Sequence, residues 1–192
     1  MEGRVRARST RLLNDSVLNF LGGNAVAATD VLYGPDGVVR FSNLRLDAPD
    51  ARITGGRGSW SPDGRLTLAM NGTTTAYGAV GVQVAGTIAN PNAVITVERP
   101  GFGIGLASVE ARITGARGGY RLDATAQTDY GSLTADVVLG INAPLTLTIN
   151  RANLGGIDFA GRLQQTRAGP FTGRLDASGQ GVAGVVRLGA VG

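Results

Sequence analysis

The chain has 192 residues, of which 43% are hydrophobic, 17% are charged and 31 are glycine, a balance too apolar for a disordered chain and too rich in glycine for a helical bundle. It contains no cysteine and no histidine, which removes thiol nucleophiles, disulfides, Cys/His zinc sites and Ser-His-Asp triads and leaves carboxylates, hydroxyls and guanidinium groups. The net charge of +4 is concentrated in a short arm, where Arg4, Arg6, Arg8 and Arg11 stand against Glu2, so the rest of the chain is close to neutral.

In chain order, that arm comes first. Val5 and Ala7 alternate with arginines, which predicts an edge strand whose charges discourage pairing with other chains, in preference to an arm that grips nucleic acid. Residues 10–22 predict one short amphipathic helix: Ser9 or Thr10 caps it, Leu13, Val17 and Leu21 share a face, and Gly22-Gly23 ends it. Asn14 and Asp15 interrupt this apolar cluster, well short of the roughly 20 apolar residues a membrane span needs.

From Val38 onward the period is two. Leu66, Leu68 and Met70 alternate with polar or small residues, as do Val80, Val82, Val84 and Ile88, then Val109, Ala111 and Ile113, then Tyr120, Leu122, Ala124 and Ala126. The pattern returns at Leu145, Leu147 and Ile149, at Ile157, Phe159 and Leu163, and at Val182, Val186 and Leu188. Turn residues punctuate the runs at Pro35-Asp36-Gly37, Pro62-Asp63-Gly64, Asn90-Pro91-Asn92, Asp129-Tyr130-Gly131, Asn142-Ala143-Pro144, Gly169-Pro170 and Ser178-Gly179. The connections are too short for crossover helices, so the strands are expected to pair antiparallel.

The chain also repeats itself. Asp50 is followed by ARITGGRG (51–58) and Trp60, and Glu110 by ARITGARG (111–118) and Tyr120, sixty residues later. Two copies at one offset predict a repetitive array, with copies over about 38–97 and 98–150, a third partial unit over 151–192, and no second domain. An antiparallel sheet with one apolar face must cover that face by a second sheet, by closure, by membrane or by curling around something apolar. Ten aromatics without girdles argue against a membrane barrel, and a lining of Val, Leu, Ile, Ala and Gly leaves room. The expected fold is therefore all-β with one short N-terminal helix: a mostly antiparallel, twisted sheet curled into an open apolar groove, a β-taco.

The ARITGxRG-x-aromatic strand preceded by FSNLRLDAP (41–49), the AYG and DYG turns (76–78 and 129–131), ERPGFGIGLASVEA (98–111) and FAGRLQQTRAGPFTGRL (159–175) resemble the TamB proteins of alphaproteobacteria. These belong to the AsmA-like superfamily of bridge-like lipid-transfer proteins. The resemblance implies a β trough crossing the periplasm, its interior lined for acyl chains, within a longer protein anchored in the inner membrane. Members of the family also engage an outer-membrane barrel partner, TamA-like, through a C-terminal region that this chain does not match, so it reads as an internal segment.

Other chemistry has plainer explanations. Gly101-Phe102-Gly103-Ile104-Gly105 lacks the βαβ context of a nucleotide loop, and Asp36 and Asp63 each sit in a Pro-Asp-Gly turn that calls for aspartate on backbone grounds. Arg52, Arg57, Arg112 and Arg117 recur with the repeat and read as wet-face residues in preference to phosphate ligands. Trp60 and Tyr120 read as cover over the repeat junction. The chain is thus expected to be a non-enzymatic, cofactor-free and metal-free conduit segment that moves phospholipid between the inner and outer membranes in support of outer-membrane biogenesis. Its expected partner is the acyl chain, not nucleic acid, and its groove lining is Leu66, Leu68, Met70, Val82, Val84, Ile113, Leu122, Leu145, Leu147, Ile149 and Phe159. The alternative is a structural or adhesive β-repeat fibre of the cell surface with a closed, dry core.

Overall fold

The computed structural model describes residues 2–8, 22–100, 105–166 and 171–189. They form fourteen strands in two compact units, Met1–Gly101 and Phe102–Gly192. The first unit holds β1 (Glu2–Arg8), β2 (Val26–Tyr33), β3 (Val39–Asp47), β4 (Ala51–Trp60), β5 (Leu66–Thr74), β6 (Gly78–Gly86) and β7 (Pro91–Val97). The second holds β8 (Ala107–Ala116), β9 (Gly119–Thr128), β10 (Gly131–Gly140), β11 (Thr146–Leu154), β12 (Ile157–Gln165), β13 (Phe171–Gly179) and β14 (Val182–Leu188). Within each unit every strand runs antiparallel to its predecessor, and spatial order equals chain order, so neither unit closes on itself as a barrel. The protein is all-β, as the period of two requires. The helix expected over 10–22 falls, but for its last residue, outside the described residues, as do Gly101–Ile104 of the glycine-alternating loop and the Gly169-Pro170 turn.

Turn chemistry sets the strand ends. In the β2–β3 turn the Gly34 amide donates to the Val38 carbonyl at 3.0 Å and Asp36 Oδ1 accepts from the Val38 amide at 3.1 Å. Gly37 and Gly64 take φ of 73° and 82° in the two Pro-Asp-Gly turns, a backbone state that costs a side chain dearly. Three boundaries differ from the sequence reading: Pro91-Asn92 open β7, Gly131 opens β10, and Ser178-Gly179 belongs to β13, where the turn is Gln180-Gly181. Both of those residues have positive φ, 49° and 80°, as a two-residue hairpin matching strand twist demands. The Gln180 backbone adopts this state while its side-chain Nε2 donates to the Gly155 carbonyl at 2.7 Å.

The two ARITG copies do not fold alike. In the first unit Ala51 to Trp60 is one unbroken strand, β4, with a bulge between Ile53 and Gly55. In the second, Ala111 to Ala116 lies on β8, the chain turns at Arg117-Gly118, and Tyr120 lies on β9 opposite Gly115. The cause is the insertion in the first copy: Pro62-Asp63-Gly64 supplies a turn further on, so the strand continues past its glycines, whereas in the second Gly118 (φ 77°) makes the reversal. In each copy the isoleucine shares a face with apolar neighbours, Ile53 with Leu46 and Ile113 with Leu122.

Directly opposed residues share a face, so the registers give each unit one apolar and one polar side. In the second unit a single row runs Ile113, Leu122, Val137, Ile149, Gly161, Leu175, Val186 across all seven strands. Rows in the first unit include Gly58, Leu68, Val84, Ala93 and Gly56, Met70, Val82, Ile95. Each apolar cross-strand pair contributes about 0.2–1 kcal/mol. Among the described residues no large side chain is fully buried, and the buried apolar residues are Ala25, Ala51, Ala93, Ala126, Val137 and Leu163. Each unit is one layer thick at its strands, with its contacts made between chain-adjacent strands.

Candidate functional site

Strand alternation places the expected lining residues. In the first unit Leu66, Leu68 and Met70 lie on β5 and Val82 and Val84 on β6, with Leu68 opposite Val84 and Met70 opposite Val82. All five are half-buried. Next to them is an apolar cavity of about 120 Å³ whose walls include Leu46, Ile53, Met70, Val80 and Val82. In the second unit Ile113 opposes Leu122, Leu147 opposes Leu163, Ile149 opposes Gly161, and Phe159 opposes Ala152. These six expected positions, Leu145 included, are half-buried too. Leu145 stands just before β11, where its carbonyl accepts from the Gln165 amide at 2.8 Å and prolongs the ladder by one step.

Several members of the same faces were not singled out in the sequence. Phe41 and Leu46 on β3 join the first unit's face through Gly58 and Ile53. Val137, 8% exposed, anchors the second together with Leu163, 7% exposed, which the alternation places on the apolar face. Val137 was legible in the alternation of Leu133, Ala135, Val137 and Leu139. Ala152 and Leu154 were not, because a bulge at Asn150 shifts the phase of β11: Asp136 opposes Arg151 while its neighbour Val137 opposes Ile149. The signal was the pair Asn150-Arg151, two consecutive polar residues inside an alternating run.

The polar faces carry paired charges. In the first unit Asp30 Oδ1 accepts from Arg4 Nε and Oδ2 from Asn43 Nδ2, both at 2.8 Å, and these bonds, Asn43's first, hold its carboxyl below the ordinary aspartate range. Asn43 has φ 53° where the β2–β3 register shifts, so Asp30 clamps the bulge. In the second unit Arg112, Asp123, Asp136 and Arg151 oppose one another in sequence across four strands. Arg121 bridges the two aspartates at 3.5 and 2.9 Å, and Asn150 Nδ2 donates to Asp136 at 3.2 Å. A cavity of about 450 Å³, lined by Glu110, Arg112, Asp123, Asp136 and Arg151 together with Ala124 and Ala135, lies over this row.

The residues weighed for other chemistry are occupied locally. Asp36 takes Arg40 at 2.6 Å and the Val38 amide, and Asp63 takes Ser61 Oγ at 2.6 Å, which is why both carboxyls sit below their usual range. Arg52 pairs with Asp47 at 2.9 Å, Arg57 opposes Ala69, Arg112 opposes Asp123 and Arg117 is in a turn. Trp60, 47% exposed, lies at the end of the first unit's apolar face opposite Leu66 and Val39.

What the arrangement offers chemically is a polar face on which many charges are paired locally, backed by a largely half-exposed apolar one. Compared with family models, with curated proteins and with solved structures, the chain finds no match.

Proposed function

We propose that this chain is a non-enzymatic segment of a periplasmic lipid conduit, whose apolar strand faces carry phospholipid acyl chains between the inner and outer membranes. The observation that supports it most is the run of apolar rows, up to seven strands long, whose large side chains are mostly half-buried, with Val137 buried and Val186 exposed in the longest row. A closed core would bury them. Two acyl chains of about 30 methylenes, at roughly 0.8 kcal/mol each, cost on the order of 20 kcal/mol to expose to water, and an apolar lining offsets most of that. The resemblance of ARITGxRG and its flanking motifs to TamB proteins points the same way, and on that reading the segment belongs to an envelope-spanning protein with an inner-membrane anchor and a TamA-like outer-membrane partner.

The test is substitution in the acyl path. Leu68→Arg and Leu147→Arg each place a charge among apolar row neighbours, which obstructs a chain unless the guanidinium bends outward. Purified variants are expected to lose co-purifying phospholipid, read by mass spectrometry, while remaining folded and melting where the delipidated parent does. Variants that unfold, together with a parent protein that carries no lipid, would instead favour a dry-cored fibre.

A further inference from the structure

The pentapeptide FxGRL occurs twice, at 159–163 and 171–175, and the register of β12 on β13 pairs the copies head to tail. Gly161 opposes Leu175, Arg162 opposes Arg174, and Leu163 opposes Gly173. Both glycines are required: a Cβ at Gly161 would collide with the Arg174 carbonyl oxygen and crowd the Leu175 side chain, and one at Gly173 would collide with the Arg162 carbonyl oxygen and crowd the Leu163 side chain. On the polar side the same symmetry sets arginine against arginine. β14 extends it, because Arg187 opposes Arg174.

Three exposed arginines therefore stand side by side on consecutive strands, at the strand spacing of roughly 4.8 Å. Elsewhere, among the described residues, arginines that oppose a charge oppose an acid: Arg4 with Asp30, Arg52 with Asp47, Arg112 with Asp123, Arg151 with Asp136. The Asp123–Asp136 opposition is bridged by Arg121. The arginine row has one acid beside it, Asp176, which bonds Arg174 at 2.7 and 2.9 Å, and among the described residues Arg162 and Arg187 have no ion pair. Like charges directly opposed are unfavourable unless an anion lies between them. Guanidinium forks match phosphate oxygens in pairs.

We propose that Arg162, Arg174 and Arg187 form a strip that binds the phosphate groups of anionic lipid headgroups at a membrane surface. The strip is an exposed line about 10 Å long, counting three strands at that spacing. One free phosphate on such a line would keep most of its oxygens in water, whereas a plane of headgroups engages several arginines at once. It lies on the face opposite the apolar rows, so it stands or falls apart from the proposed acyl path.

The test is flotation of the protein with vesicles of phosphatidylglycerol and, separately, phosphatidylcholine. Arginines near an anionic surface are worth about fivefold in affinity each, so the triple variant Arg162→Gln/Arg174→Gln/Arg187→Gln should bind phosphatidylglycerol on the order of 100-fold more weakly, with phosphatidylcholine binding unchanged. The parent's preference for the anionic vesicle should fade at high salt. Arg187→Glu gives the row the compensated pattern seen elsewhere. It is expected to raise the melting temperature at low salt while weakening phosphatidylglycerol binding about 30-fold, two charges' worth, which separates recognition from folding. Equal binding of both vesicles by parent and triple variant overturns the proposal. So does competition by millimolar inorganic phosphate or by single-stranded nucleic acid that abolishes the arginine-dependent binding, since either makes the strip a site for something other than a headgroup plane.

Discussion

Phe41 lies over Gly58 on the neighbouring strand, and a Cβ at that glycine would collide with the Phe41 ring and with the Thr67 carbonyl oxygen. Gly58→Ala must push aside an aromatic or a ladder carbonyl, so it is expected to cost about 1–3 kcal/mol, measured by urea unfolding. Asp30 is the other single residue on which local geometry turns. Its folded pKa lies below the unfolded value because Asn43 and Arg4 bond the carboxylate. Asp36, Asp63 and Asp158 are lowered likewise, by Arg40, Ser61 and Asn153 first among their partners. Groups with depressed pKa contribute stability above the unfolded value and lose it as pH falls through the folded one. Melting temperature should thus hold steady from neutrality to about pH 4, the ordinary aspartate value, and fall below it. Asp30→Asn should make that fall shallower; a variant as acid-sensitive as the parent would show that the carboxylate is not what clamps the bulge.

At the scale of the strand, the bulge on β11 makes the sharpest prediction. Asn150 is the extra residue between Ile149 and Arg151, so deleting it leaves Ile149 and Ala152 on the apolar face and Arg151 outside. The cost should be little more than the Asn150–Asp136 hydrogen bond, about 0.5–1.5 kcal/mol. Deleting Thr148 instead turns Ile149 to the polar face and should destabilise several-fold more in free energy. Equal effects of the two deletions, read by thermal unfolding, would contradict the register. The same bulge explains what was and was not legible. Period-two alternation placed Leu68, Val84, Ile113, Leu122 and Leu147 on their strands because these runs keep phase from turn to turn. It lost Ala152 and Leu154 where phase breaks, and it took two ARITG copies for one structural unit because identical strand-forming residues go straight or turn according to where the next glycine turn falls. The pairing of one FxGRL copy on the other was invisible as well, since it depends on the length of the 164–170 connection as well as on local preference.

At the scale of the whole molecule, the two units share a design in which nearly every side chain of substance is half-exposed. That design leaves little buried area to stabilise either unit alone, and a ligand that covers the apolar face adds stability that grows with the logarithm of its free concentration above the dissociation constant. Phospholipid added to delipidated protein is therefore expected to raise the melting temperature with lipid concentration; a transition indifferent to lipid would count against the proposed path.

The central claim is tested most directly by photo-crosslinkers installed one at a time in the protein as it occurs in cells. Leu68, Val84, Ile113, Leu122, Leu147 and Phe159 occupy apolar rows, while Gln83, Asp123 and Thr146 occupy polar ones and Arg65 a turn. Because adjacent residues on a strand face opposite ways, Val84 against Gln83 and Leu147 against Thr146 are internal controls. The account predicts phospholipid adducts at the apolar positions and none at the polar ones. Adducts at both members of each pair, or at neither, would contradict it.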